Sequence, residues 1–330
     1  MANPNSISSL SLTTINTLTN PKVAQKIADN ITARIPLLHF LNKLGHKEYE
    51  YGGRQYWLPV FKELQTGTAY TGATVFADTV EADPVTTAIY ERKHLTWAIT
   101  VSGTNLLKNA GTDDTAIVNY LETLVETAQE SAKNDMAGSS IGIMSSQADS
   151  DLGITGLQTY LPTSTTTGTV GTLSRATYSY WRHQAGTTIS AFATNGLTSM
   201  RSLFINLTRG DEIPTVITMT TSGFAGLMTA LTGTVNYDYR GKEPTVGDID
   251  FPTINFHGAT VLADGFQPAN TLYMLNLKYF KLLVHGDRDM TIRDFIAPTN
   301  QDILVGRLYW AGNFVCNNLA RQGRTAGGDT

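Results

Sequence analysis

The residues best placed to do chemistry form the run Gly138-Ser139-Ser140-Ile141-Gly142, which matches G-x-S-x-G. In hydrolases with that motif a strained strand-to-helix turn exposes the serine, and a histidine takes its proton. Ser140 would then be the nucleophile and acyl transfer the reaction. The motif needs a strand before it, whereas the residues before Gly138 repeat with a helical period. A serine hydrolase using Ser140 is therefore a distant alternative. The histidines, His39, His46, His94, His183, His257 and His285, show no H-E-x-x-H spacing, so zinc is not indicated. Asp287 and Asp289 in "HGDRDM" lack the further carboxylates of a calcium loop. Neither G-x-x-x-x-G-K-S/T nor G-x-G-x-x-G occurs, which leaves no phosphate-cradling loop. The expectation is a protein that is not an enzyme and uses no cofactor and no metal.

Composition points the same way. Only 16% of the residues are charged, below the usual ~25%, so much of the surface is not built for ordinary solvation. With a net charge of −4 and no basic cluster visible along the chain, only loose contact with nucleic acid is expected. Cys316 is the single cysteine, so no intrachain disulfide can form. Its expected role is that of a small buried apolar residue. The opening "MANPNSISSL" has no basic n-region and no apolar h-region, which is not the pattern of a secretory signal. No apolar run approaches membrane-spanning length.

The elements follow from periodicity. Residues 1–19 read as a polar extended arm, and Asn20-Pro21 can start a helix with Val23, Ile27 and Ile31 on one stripe. "IPLLHFLNKLG" adds a short apolar segment ending at Gly45. From Glu48 to Gly103 the chain reads as long β structure. Leu95, Trp97, Ile99 and Val101 alternate with His94, Thr96, Ala98 and Thr100, in a strand of roughly 50 Å. That is too long to bury in one compact domain and suggests a protruding two-stranded loop that needs a neighbour. Asp113 and Asp114 open a helix striped by Ile117, Leu121, Leu124, Ala128, Ala132 and Met136, and Gly138 ends it. At roughly 36 Å with one stripe it should lie across a sheet. After a Gly/Ser/Thr-rich stretch the pattern becomes mixed α/β, with helices in "NGLTSMRSLFINLTRG" and "TSGFAGLMTALTG", strands in "PTVITM" and "GATVLADG", and a third strand starting "NTLYMLNLKYFKLLVHG". "QDILVGRLYWAGNFVCNN" reads as one long strand with Leu304, Leu308, Trp310, Phe314 and Cys316 on its apolar face, and "ARQGRTAGGDT" reads as loose.

The order of these parts resembles the major capsid proteins of tailed bacteriophages, which have the Hong Kong 97 fold. The resemblance rests on that order together with "GITGL" (153–157), "YSYWRH" (178–183), "PTVITMT" (214–220), "HGATVLADGFQPANTLYMLN" (257–276) and "GRLYWAGNFVCNN" (306–318). It implies an α+β fold divided into an N-terminal arm (1–47), an extended β-hairpin loop (48–103) and a peripheral domain with a long spine helix (104–149). An inserted α/β axial domain (150–285) and the closing peripheral strands (286–330) complete it. The implied function is that of a structural subunit forming hexamers and pentamers of an icosahedral shell around double-stranded DNA. The implied location is the virion, after assembly in the bacterial cytoplasm.

The resemblance also implies partners. These are other copies of the chain, a separate scaffolding protein or none, a portal, and a decoration protein in some relatives; no membrane is involved. Residues in the regions that meet neighbours are Arg54, Tyr56, Trp57, Lys62, Tyr70, Phe76, Arg92, Trp181, Tyr237, Tyr239 and Arg240. Some family members crosslink a loop lysine to an asparagine. Lys62 with Asn313 or Asn317 supplies the residue types, but no motif carries the match. An encapsulin-like nanocompartment shell is the alternative reading, and a β-rich adhesin or tail component a further one.

Overall fold

The computed structural model describes residues 36–62, 83–105, 114–232 and 253–329, with residues 114–122, 232 and 253 as backbone alone. Two compact units divide the chain. The larger holds Arg34–Lys93, Asp135–Gly286 and Ala311–Thr330, and the smaller Met1–Ala33, His94–Asn134 and Asp287–Trp310.

The larger unit begins with helix α1 (Pro36–Lys43), which buries Leu37, Leu38, Phe40 and Leu41. Pro36 occupies the first helical position, where a missing N–H costs nothing. Asp264, from a distant loop, accepts the N–H of Leu37 and so caps this helix. Gly45 then turns the chain at φ +74, a conformation that favours glycine. Strand β1 (Lys47–Glu50) pairs in parallel with β12 (Phe280–His285), from Lys47↔Leu282 to Glu50↔His285. β12 pairs on its other side with β14 (Ile303–Cys316), from Phe280↔Cys316 to Val284↔Gly312. Phe280 and Phe314 stack with centroids 4.8 Å apart, and Tyr160 meets both rings edge-on at 5.6 and 5.9 Å. From Ala311 to Cys316 every residue of β14 is buried. The expected one-sided alternation therefore ends at Trp310, because this part of the strand is covered on both faces.

A six-stranded sheet forms the rest of the larger unit. Its order is β7 (Gln184–Ala185), β15 (Gly323–Ala326), β11 (Thr271–Leu275), β8 (Val216–Met219), β10 (Ala259–Ala263) and β9 (Thr253–Phe256). β8 and β11 are buried at every position. Helices α3 (Leu197–Leu207) and α4 (Thr221–Thr232) contribute Met200, Leu203, Phe204, Phe224 and Leu227 to one core, together with Ile217, Met219, Leu272 and Met274 of the sheet.

One expectation changes here and one is extended. The segment read as a loose tail supplies β15, an interior strand between β7 and β11. Gly323 is needed there because a Cβ would stand 2.6 Å from Leu207. The stretch 270–286 starts as a strand, as expected, and a second strand follows after the turn Leu277–Tyr279; the two belong to different sheets.

In the smaller unit the helix α2 (Asp114–Ala137) runs through the span expected for it. Strand β4 (Lys93–Ser102) buries Leu95, Ile99 and Val101 and exposes His94, Thr96, Ala98 and Thr100. β4 pairs with β14, which also pairs with β13 (Thr291–Ile296) through Thr291↔Tyr309, Ile292↔Leu308 and Arg293↔Arg307. The single long strand expected from Thr86 to Gly103 is instead β3 (Val85–Glu91) and β4, interrupted at Arg92. The two halves have different sheet partners, and the break lets the Arg92 side chain turn onto Tyr56.

Candidate assembly surface

Strand β2 (Gln55–Phe61) and β3 form an antiparallel hairpin in register from Gln55↔Glu91 to Phe61↔Val85. The alternation of side chains gives it two faces. On the inner face Tyr56, Val60, Ala88 and Tyr90 are buried. The Tyr90 hydroxyl donates to the Cys316 carbonyl at 2.6 Å, and the Ile89 N–H donates to the Gly171 carbonyl at 3.0 Å. Gly171, at φ +58, lies so close that a Cβ would meet Ala88 and Tyr90 at 3.0 Å. The base of the hairpin is thus fixed by its own chain.

The outer face is different. Trp57 is 66% exposed, Phe61 79% and Val85 46%. Trp57 pairs with Ile89, Pro59 with Thr87 and Phe61 with Val85, so these side chains form one apolar strip. Isolated exposed apolar residues are ordinary, but a contiguous strip on a hairpin is the usual mark of an interaction site.

The expected interface residues distribute unequally over this surface. Arg54 and Trp57 are exposed. The Lys62 ammonium sits 3.5 Å from Asp83, and the Lys62 N–H donates to the Pro84 carbonyl at 2.8 Å. Arg92 donates through Nε to the Tyr56 hydroxyl at 3.1 Å and through its terminal nitrogen to the Gly52 carbonyl, with its guanidinium 5.3 Å from the Tyr56 ring. Tyr56 faces inward, and burial raises its phenol pKa. Trp181 is fully buried and offers a neighbour no surface. Its indole N–H donates to the Val170 carbonyl at 3.0 Å, and Val170 precedes the Gly171 that holds the hairpin. Trp181 therefore positions the surface from within. Tyr70, Phe76, Tyr237, Tyr239 and Arg240 lie outside the described residues. Phe61 and Val85 were missed in the sequence, where an apolar residue at the end of a strand carries no sign of its exposure.

The loop after α2 completes the base of the hairpin. The Lys93 ammonium is buried and donates to the carbonyls of Asp149 and, at 2.6 Å, Asp151. Asn313 donates through Nδ2 to the Glu91 carbonyl at 2.8 Å and to Thr155 Oγ1 at 3.1 Å. Asn313 is buried with both ends of its amide engaged in hydrogen bonds within its own chain. Burial raises the pKa of Asp149, while the Glu91 N–H and Lys93 act against that shift.

The Ser140 motif sits in the turn that ends α2. Ile143 N–H donates to the Met136 carbonyl at 2.8 Å and Met144 N–H to that of Ala137 at 3.3 Å, which caps the helix. A Cβ on Gly142 would fall 2.3 Å from the carbonyl oxygens of Asp135 and Met136. Its glycine is thus required by close approach to the helix end. Ser140 is exposed, and its carbonyl accepts from Gln147 Nε2 at 3.0 Å.

No protein-family model matches the chain, and no curated protein matches its sequence. Solved structures match its backbone over almost the whole length. The capsid asymmetric unit of cyanophage A-1(L) is 15% identical, with a TM-score of 0.66 over 94% of this chain and 98% of that one. The capsid of Myoviridae phage XM1 is 10% identical, with a TM-score of 0.56 over 92% and 96%. The chain has the Hong Kong 97 capsid fold. The same comparison includes the holo-SrpI encapsulin complex of Synechococcus elongatus PCC 7942, 10% identical, with a TM-score of 0.50 over 96% and 95%. Phage shells and an encapsulin share this architecture.

Proposed function

We propose that the chain is a major capsid protein, a structural subunit whose copies form hexamers and pentamers of an icosahedral shell around double-stranded viral DNA. The observation that carries the reading is a capsid fold whose hairpin is anchored on its inner face and left apolar on its outer face by Trp57, Pro59 and Phe61. A neighbouring copy is the natural cover for such a strip. In this reading residues 1–47 are the arm, 48–103 the extended loop, 104–149 and 286–330 the peripheral domain and 150–285 the axial domain. The interface includes Arg54, Trp57, Lys62 and Arg92 of the hairpin region. Tyr70, Phe76, Tyr237, Tyr239 and Arg240 belong to the same proposal on sequence grounds.

The subunit performs no catalysis, needs no cofactor and touches the packaged DNA only loosely. A portal and either a separate scaffolding protein or none complete its assembly in the bacterial cytoplasm, and decoration proteins are candidate further partners. The encapsulin-like reading has its own support in the holo-SrpI match, at a lower TM-score than the cyanophage capsid. Electron microscopy of the purified assembly tests both: closed icosahedral particles holding nuclease-protected DNA support a viral shell, and closed particles filled with a protein cargo support a nanocompartment. Fibres or small open rings overturn both. Esterase activity that disappears in Ser140→Ala would overturn the non-enzymatic part.

A further inference from the structure

A cavity of about 420 Å³ opens beside helix α3, lined by Arg201, Phe204, Ile205, Thr208 and His257. Arg201, Ile205 and the C-cap Thr208 stand at i, i+4 and i+7, so one stripe of the helix supplies them. The facing wall is His257, held at φ +50 in the turn between β9 and β10. Its ring centroid lies 5.5 Å from that of Phe204 and 4.7 Å from that of Phe256. Ile205 is 69% exposed. A Cβ on Gly258 of the same turn would stand 3.3 Å from Ile213, which adds further exposed apolar surface. Arg201 is exposed, and no hydrogen bond or ion pair engages its side chain among the described residues. The size and lining are those of a binding pocket, apolar with one charged group to orient the occupant. The occupant that fits carries an apolar side chain next to a carboxylate.

Such a pair projects from the same compact unit, on the loop 148–153. Leu152 is 91% exposed, so it does not fill the pocket of its own chain. Asp151 beside it is exposed as well. A lone exposed leucine is ordinary, but the loop beneath this one is tied down. The Lys93 ammonium donates to the carbonyls of Asp149 and Asp151. Asp151 Oδ2 accepts the Ala148 N–H at 2.7 Å, and the Asp151 N–H donates to the Ala148 carbonyl at 3.0 Å. The tip is therefore set before a partner arrives, which lowers the ordering cost of docking. A carboxylate with one such bond still has acceptor sites to offer a guanidinium.

We propose that the Asp151-Leu152 tip of one copy seats in the Arg201–His257 pocket of a second copy, with Leu152 in the apolar recess and the Asp151 carboxylate on Arg201. The proposal rests on the reading of the chain as a self-assembling subunit. Tip and pocket are different patches, so the contact is head-to-tail, the kind that closes into rings. The leucine supplies the affinity, and the charge pair sets the register.

The test uses the full chain. Leu152→Ser should leave the circular dichroism spectrum and thermal midpoint of the free subunit unchanged. It should raise the protein concentration at which assembly begins at least about tenfold, the equivalent of one buried leucine. In a second arm, chains carrying Leu152→Cys and chains carrying Ile205→Cys are co-expressed with different tags and treated with a short bis-maleimide. The native Cys316 is buried and does not interfere. A crosslinked species with both tags should exceed that from Leu152→Cys paired with Ile296→Cys, at an exposed isoleucine outside the pocket. The seat requires both results. An unchanged assembly threshold overturns it, and so does a mixed crosslink no stronger than the control. Crosslinking of Ile205→Cys to a different protein of the particle assigns the pocket to that protein and also overturns it. Both results obtained on open oligomers, with no closed particles from the unaltered chain, overturn the shell reading and leave the seat in place.

Discussion

The side-chain carbonyl of Asn313 accepts the backbone N–H of Thr155 at 3.0 Å, across 158 positions of sequence. The same oxygen accepts the Phe314 N–H at 2.9 Å. With its amide nitrogen on Glu91 and Thr155, this one side chain ties the end of the hairpin, the loop after α2 and strand β14 together. Asn313→Ala would leave buried backbone groups unpaired, at a cost of about 3 kcal/mol. Urea unfolding of the unassembled subunit measures it. A midpoint equal to that of the unaltered chain would show that the tie contributes nothing.

The hairpin strip separates folding from assembly. Trp57→Ser with Phe61→Ser removes exposed apolar surface while leaving Tyr56, Ala88 and Tyr90 in place beneath. The double variant is expected to keep the circular dichroism spectrum and thermal midpoint of the subunit but to sediment as free subunits. Normal particle yield would remove the strip from the interface.

Asp264 makes stability depend on pH in an unusual direction. Burial pushes its carboxyl up to about 6, although the N–H groups of Phe266 and Leu37 both favour the charged form. The folded subunit therefore holds a proton that the unfolded chain has already released. Stability from this group is greatest below about pH 4 and declines as pH rises to about 6, by about 3 kcal/mol in total. Asp264→Asn keeps an acceptor for both N–H groups and should flatten the decline, so the variant should be the more stable at pH 8. Parallel unfolding midpoints of the two proteins from pH 4 to 8 would contradict the assignment.

Cys316 is buried, and its thiol is pushed up to about 12 by loss of solvation. Since the thiolate is the reactive form, the native subunit is expected to resist iodoacetamide at pH 8 for as long as it stays folded. Labelling should rise to completion in denaturant. Rapid labelling of the native subunit, followed by mass spectrometry, would show that the interior opens easily.

How far the sequence could be read depended on whether each signal was local. Helix α2 was legible to its ends because its stripe, its acidic start and the Gly138 that follows it are all local signals. β4 was legible because one face is buried and the other is not, which writes a period of two into the residues. β15 was not legible. Four residues including a glycine and an arginine carry no pattern, and their burial comes from β11 and β7 on either side. Trp181 was placed at an interface because an aromatic residue near a turn looks the same whether it anchors a neighbour or its own chain. The juxtaposition of Arg293 and Arg307 was illegible for a related reason. Arg293 and Arg307 become neighbours only through the register of two strands, so a search for a basic run could not find it.

The strip of Trp57, Pro59 and Phe61 has a consequence for supply. Under the proposed shell reading, a subunit that folds before it assembles and leaves this face wet obeys mass action. Below a threshold concentration free subunits persist, and above it every added copy enters a shell. The same wet face offers a sticky route to amorphous precipitate. Synthesis must therefore cross the threshold quickly and in the presence of whatever nucleates closure, so the rate at which copies appear decides between particles and aggregate.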